Sequence, residues 1–493
     1  GIPFSQFREQ VRSDTLKKAG EYSEKFLSLC SNLNIAGTEK LPCVKDFYSP
    51  EKDIIQTGHS PAITHPGVLI KHSLVNSIAK KVNGIGINMV VDNDAGNDNC
   101  LNIPDINGSD SSVEKIKYHP GLRNLAFEEI RYTDPTQLLG FQESVLKFLH
   151  NPGMKETFDN FMNVAITLSG ETLQFSDLFT FARHAFLTRF GISNLEVLVS
   201  HISETDPFLN FFLHITANLK CFVDIYNTKL REYRKLKKIS SKANPLPDLM
   251  EKGFVVEMPF WMWKRNEPRK SLFASIANDN RISIICENKI VEHFDFDGRS
   301  RSTKNLERLK ALISKGIKIR PKAIANTMYS RMFFSDLFIH GIGGAKYDLI
   351  TDEIIREFFG VEPPEYATIS ATLYLPYKPF DVSDEDINKM KHAVKDMGYN
   401  PDRYASRGIM EDAGMISLIN EKKDLISRGA SDSKEKHLTF DRIKQLNSLM
   451  KDKISPLIKK SENEIADLEK KLSYNSIVTN RNYPFCLYPE AML

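Results

Sequence analysis

Apolar positions change their period several times along the chain, and each change predicts an element. A helix-rich stretch runs from Phe7 to Leu33. The short run Asp53–Gln56 then reads as a strand, and Val68–Val82 returns to the three/four spacing of a helix face. Thr64 is the expected N-cap of that helix, with Pro66 in the first turn, where a missing N–H is harmless. A second strand, Ile87–Val91, runs straight into the polar stretch Asp92–Asp98. Strand, polar loop, helix and strand is the order that a parallel sheet requires, because parallel neighbours need a crossover. The expected class is therefore α/β, with a Rossmann-like parallel-sheet core.

From about Glu128 to Lys242 the pattern is mostly helical. Phe208, Phe212, Ile215, Leu219, Phe222 and Tyr226 recur near every 3.6 residues, the spacing of a core-facing stripe. Strand-like patches return at Phe254–Met258, Ile282–Ile285 and Ile369–Leu375. Beyond Pro376 the chain is helical and charged. Ile443, Leu446, Met450, Leu457, Ile465, Leu468 and Leu472 suggest a coiled-coil arm, kinked or restarted at Pro456, with Arg428–Lys436 as its exposed turn. Four regions follow: 1–127 as the first half of the core, 128–250 as a helical connecting insertion, 251–380 as the second half of the core, and 381–493 as the arm and tail.

Composition narrows the class. With 41% hydrophobic and 26% charged residues, the chain is of ordinary globular make-up. A net charge of +3 gives no concentrated basic surface, so no nucleic-acid partner is expected. The six cysteines are scattered without a CxxC pair, which fits a reducing compartment. Gly1–Phe4 lacks the layout of a signal peptide, and Arg331, Asp336 and His340 interrupt the most apolar stretch. A cytoplasmic protein without a membrane partner is expected.

Three loops at strand ends carry residues suited to chemistry. The first holds Thr57, Gly58, His59, His65 and Gly67, followed by Lys71. Glycine permits close backbone approach, and the N-terminus of the next helix favours an anion. The two histidines suit hydrogen bonding to phosphate oxygens, although a tight turn with surface histidines explains the same residues. The second loop holds Asp92, Asp94 and Asp98, suited to Mg²⁺, an ammonium group or general-base work, or to an Asx-rich turn. The third is His340-Gly341-Ile342-Gly343-Gly344-Ala345-Lys346-Tyr347-Asp348, directly after an apolar run. Arg320, Asn326 and Arg331 are weaker candidates. The aromatic cluster Phe260–Arg265 reads as packing, and the tail Arg481–Phe485 has no readable role.

The order of these pieces resembles the bacillithiol-biosynthesis cysteine-adding enzyme family (BshC). Gln56-Thr57-Gly58-His59 and His65-Pro66-Gly67 are similar to that family's TGQQ-like and GGP-like elements. Val90-Val91-Asp92-Asn93-Asp94 stands in the place of its EDHD-like loop. Arg320-Pro321 and the run from His340 to Tyr347 stand in the place of its arginine-proline pair and VGGPGEIAY-like loop, and Tyr226-Asn227 through Tyr233-Arg234 also looks similar. The resemblance implies a core related to class I nucleotidyltransferases and a coiled-coil arm through which two copies form a homodimer. It also implies a ligase that forms a C–N bond between an amino acid such as cysteine and an amine-bearing small molecule. Candidate cofactors are ATP or ADP and Mg²⁺. On that reading His59, His65, Asp92 and Asp94 are catalytic. Thr57, Gly58, Gly67, Lys71, Arg320, His340, Gly341, Gly343, Gly344, Lys346 and Tyr347 hold the substrate or nucleotide. His59, the altered acidic loop and Ala345-Lys346 depart from the family pattern at the substrate contacts, so a different amine or acid is open. The residues also admit a metal-dependent hydrolase or nucleotidyltransferase acting on a phosphate-bearing small molecule, or a non-catalytic dimeric binding protein.

Overall fold

Alternation along the first strand decides the architecture. In the computed structural model, β1 (Ile54–His59) sends Ile54 into a large core and Ile55 into a smaller cluster with Val75 and Ala79 of α2 (Pro66–Lys81). A strand buried on both faces needs cover on both, which is the setting of a parallel sheet. The structure describes all residues except 1–3, 36–50, 97–99, 120–124, 133, 279–280, 297–302, 405–411 and 430–431.

Five parallel strands form the sheet: β1, β2 (Ile85–Val90), β3 (Leu195–Leu198), β4 (Leu337–His340) and β5 (Tyr366–Thr368). Their order across it is β5-β4-β1-β2-β3. The register aligns their carboxyl ends: His59 lies opposite Val90, Val90 opposite Leu198, Thr57 opposite Ile339, and His340 opposite Thr368. Helix α1 (Phe4–Asn32) adds Phe7, Val11, Leu16 and Ala19 to the main core.

Several expectations shift by local physics. The helix after β1 is capped by His65 rather than Thr64, its Nδ1 accepting from Gly67 N at 3.1 Å. β5 stops at Thr368, so Ile369–Leu375 is not a strand. Its only sheet partner, β4, ends at His340, and no ladder remains to extend it. β3 lies inside the stretch expected to be helical. The strands between 251 and 321 do not resume the parallel sheet. Val255–Lys264, Lys270–Asn278, Arg281–Cys286, Lys289–Asp295 and Ile317–Pro321 form an antiparallel sheet of their own, joined by Glu251–Lys252. The aromatic stripe is core, with Phe208, Phe212, Phe222 and Tyr226 all buried, but its helix breaks at Asn218 into Asp206–Ala217 and Leu219–Leu236.

The chain divides into two units. One comprises residues 1–103, 115–373 and 481–493; the other comprises 104–114 and 374–480. The second is largely helical. Met397 of α6 (Asp384–Tyr399), Met415 and Ile419 of α7 (Ala413–Arg428), and Leu446, Met450, Ile454 and Ile458 of α8 (Ser433–Val478) form its core. α8 continues through Pro456 as one helix, so the expected restart does not occur. Among the described residues no single helix is long and apolar enough to cross a membrane. The sheet unit also contains α3 (Phe175–Thr188), α4 (Val199–Ile202) and α5 (Ile342–Ile354).

Candidate functional site

The loops after β1, β2 and β4 leave the same edge of the sheet, because the three strands are parallel and adjacent. The strand order reverses between β1 and β4, the position at which open α/β sheets usually bind ligands.

The first loop carries an excess of positive charge. Lys71 is 3% exposed, and its Nζ donates to Gly58 O at 2.8 Å. No carboxylate among the described residues pairs with it. Burial, then Arg183, lowers its pKa to about 8. His59, with Nδ1 3.2 Å from Ser60 Oγ, is held neutral, its pKa pushed down to about 3 by burial and then by Lys71. His65 is lowered by burial, then by Arg481 and Lys71. Gly67 permits close approach: a Cβ there would lie 2.7 Å from Ala371 O. Thr57 is scaffold, its Oγ1 donating to Ile339 O at 2.8 Å and tying β1 to β4. Beneath this loop lies a buried polar cluster that the sequence does not announce. Arg183 donates to Glu196 at 2.9 Å, His184 meets the same carboxylate at 3.2 Å, and Asn88 donates to it at 2.5 Å. Burial raises Glu196, yet Arg183 and His184 outweigh it and bring its pKa down to about 2.

The second loop is committed to the fold. Asp92 is fully buried, one carboxylate oxygen accepting from Ser200 N at 3.0 Å and the other from the Ser200 hydroxyl at the start of α4. Burial, then Glu128, raises its pKa to about 7. Asp94 is exposed, accepts from Ala95 N at 2.8 Å and pairs with Arg269 at 3.2 Å. Asp98 lies outside the described residues. Arg320 is equally engaged: it grips Glu128 with two bonds of 2.8 and 3.0 Å and reaches Glu204 at 2.9 Å.

At the third loop, Gly341 caps α5, and Gly341 and Gly343 face open space. Gly344 has a different task. A Cβ there would fall 2.6 Å from His340 Nδ1, so the glycine seats the imidazole. His340 Nε2 faces Asp348 Oδ2. The buried Asp348 also binds Arg331 at 3.1 Å and receives the hydroxyls of Thr327 and Thr351, each at 3.2 Å. The carboxylate lies beside the imidazole without a hydrogen bond to Nε2, which leaves that buried nitrogen open to a ligand. Lys346 is exposed, and Tyr347 is half-buried with its hydroxyl pushed up to about 12 by burial, then by Asp348 and Asp94.

A metal does not fit these donors. Asp92 is taken up by Ser200 and Asp94 by Arg269, and no three His, Cys, Asp or Glu side chains among the described residues gather as ligands. The edge therefore combines a buried cation, two helix N-termini and two histidines, an arrangement suited to holding an anion. No protein-family model matches this chain, and no curated protein matches it in sequence.

Proposed function

We propose that the chain is a small-molecule enzyme with a Rossmann-like, doubly wound core that holds a phosphate- or carboxylate-bearing substrate between β1 and β4. We further propose that it forms a C–N bond, joining an amino acid such as cysteine to an amine-bearing acceptor. The observation that carries the reading is Lys71. A buried ammonium group is costly unless paired, yet among the described residues Lys71 bonds to the Gly58 carbonyl alone, and Arg183, the charge that acts on it, is positive. A bound anion supplies the missing counter-charge, and the N-terminus of α2, whose first-turn N–H groups are taken up by His65, adds a positive dipole end. The strand order, third-second-first-fourth-fifth by chain position, supports the doubly wound reading.

In this scheme ATP activates the carboxylate of the amino acid as an acyl phosphate. The amine forms the C–N bond as the C–O bond to the departing phosphate breaks, and that phosphate takes the amine's proton. Neutral His59 hydrogen-bonds the attacking amine. Lys71 and the positive end of the α2 dipole stabilise charge on the acid group. His340 serves the opposite wall. Asp92 and Asp94 keep the loop in shape and take no proton from substrate. The arm is proposed to pair two copies of the chain.

Calorimetry with ADP and with inorganic pyrophosphate tests the binding step. Binding is expected at pH 7, weakening as the pH rises past about 8 and Lys71 loses its proton. Lys71→Arg, which keeps its charge, is expected to hold its affinity to higher pH. His59→Ala is expected to bind but to yield less amide product by mass spectrometry when ATP, cysteine and an amine acceptor are supplied. Absence of binding by both phosphate probes and by a dicarboxylate such as succinate sinks the proposal.

A further inference from the structure

The tail returns to the unit that carries the parallel sheet, and it does so firmly. Tyr483, Phe485, Cys486, Leu487 and Tyr488 are each at most 1% exposed. The Phe485 ring lies 5.2 Å from Phe161 and 5.1 Å from Phe186. Two backbone pins fix the path: Phe485 N donates to Thr64 O at 2.7 Å, and Tyr488 Oη donates to Leu373 O at 3.1 Å. Thr64 immediately precedes the His65 cap of α2.

The residue that enters this segment is Arg481. One of its terminal nitrogens donates to Ser370 Oγ at 2.6 Å and to Ala371 O at 3.3 Å. Ala371 O is the same atom that crowds Gly67 in the first turn of α2. Arg481 is therefore anchored against the helix end that holds His65, and its charge depresses that histidine. No carboxylate among the described residues pairs with Arg481, and the bonds to Ser370 and Ala371 leave Nε and the other terminal nitrogen outside them.

We propose that the C-terminal segment is a strap that completes the anion site, carrying Arg481 to the first turn of α2 to bind the acid group of the substrate. The inference rests on the reading that α2 receives an anion. It adds a binding residue from the far end of the chain. Arginine suits the task because its planar fork matches a carboxylate or a phosphate with two parallel bonds.

Calorimetry on the full chain, with inorganic pyrophosphate in one arm and succinate in the other, tests this and separates phosphate from carboxylate preference. For whichever anion binds more tightly, Arg481→Gln is expected to lose about tenfold or more in affinity, the usual scale for a charge-assisted bond. Its melting temperature is expected to stay within about 2 °C of the parent, since an intermediate-exposure change far from the core disturbs little. Arg481→Lys is expected to recover part of the loss, and Phe485→Ala, which loosens the strap without touching the anion, to weaken binding as well. Parent binding with an unchanged Arg481→Gln overturns the strap and leaves the anion-site reading intact; absence of binding by the parent to either anion overturns both. Should Arg481→Gln fail to fold, a fall of about threefold or more in Arg481→Lys or Phe485→Ala supports the strap, and unchanged affinity in both overturns it.

Discussion

Asp92 shows what single residues at this edge are held in place to do. Placed at the end of β2 and buried, it satisfies both the N–H and the hydroxyl of Ser200. In the folded chain it keeps its proton up to about pH 7, whereas an unfolded aspartate loses it near 4. Between these values unfolding releases a proton. Its stabilising contribution is therefore complete below about pH 4 and declines as the pH rises towards 7. Asp92→Asn keeps an acceptor for Ser200 N and offers an amide to the hydroxyl, with no charge to bury. The variant is expected to gain on the order of 2 kcal/mol relative to the parent between pH 5 and pH 8, one pKa unit being worth about 1.4 kcal/mol. Denaturant unfolding at the two pH values measures this. A parent–variant difference that is the same at both would mean that Asp92 is ionised throughout.

Elements obey the same accounting of polar groups, and α8 is the clearest instance. Proline normally kinks or ends a helix because it lacks an N–H and crowds the carbonyl four residues earlier. Here that carbonyl, on Asp452, receives the Ser455 hydroxyl at 2.8 Å, and the helix continues from Ser433 to Val478. Pro456→Ala is expected to stabilise the helix by about 2 kcal/mol, and Ser455→Ala to weaken it by about 0.5 kcal/mol, the serine being exposed to water. Amide hydrogen exchange over residues 450–460 reads both: slower in the first variant, faster in the second. Equal exchange in Pro456→Ala and the parent would show that proline carries no cost here. The sequence could not reveal this, since a serine before a proline has no distinctive signature. β1, α2 and β2 were legible because apolar period and turn residues are local signals. β3 was not: Glu196 interrupts an apolar run, and only Arg183, His184 and Asn88, brought in by folding, make a buried glutamate tolerable. The three candidate loops were likewise legible as loops, while the partners that define them, Asp348 for His340 and Ser200 for Asp92, depend on pairings that no local pattern encodes. Antiparallel pairing of the strands between 251 and 321 was hidden for the same reason, because β-branched and aromatic runs state strand but not direction.

For the molecule as a whole, surface left uncovered matters as much as surface buried. The helical unit encloses Leu446, Met450, Ile454 and Ile458 in its own core, yet Leu438 (62%) and Leu449 (49%), on one face of α8, and Ile426 (61%) of α7 remain exposed. Exposed apolar side chains scattered singly are normal, but several on one pair of helices mark a surface that gains by being covered. A second copy of the chain is the proposed cover, and a net charge of +3 sets up little long-range repulsion between two copies. Light scattering is expected to give the parent twice its 56.2 kDa chain mass. The double change Leu438→Asp and Leu449→Asp is expected to give the single-chain mass, because burying two carboxylates without partners costs more than the lost apolar contact alone. Neither residue belongs to the sheet unit, so pyrophosphate affinity is expected to survive in the monomer. A parent that stays at one chain mass at tens of micromolar removes the dimer. A dimer that withstands both substitutions assigns it to another surface.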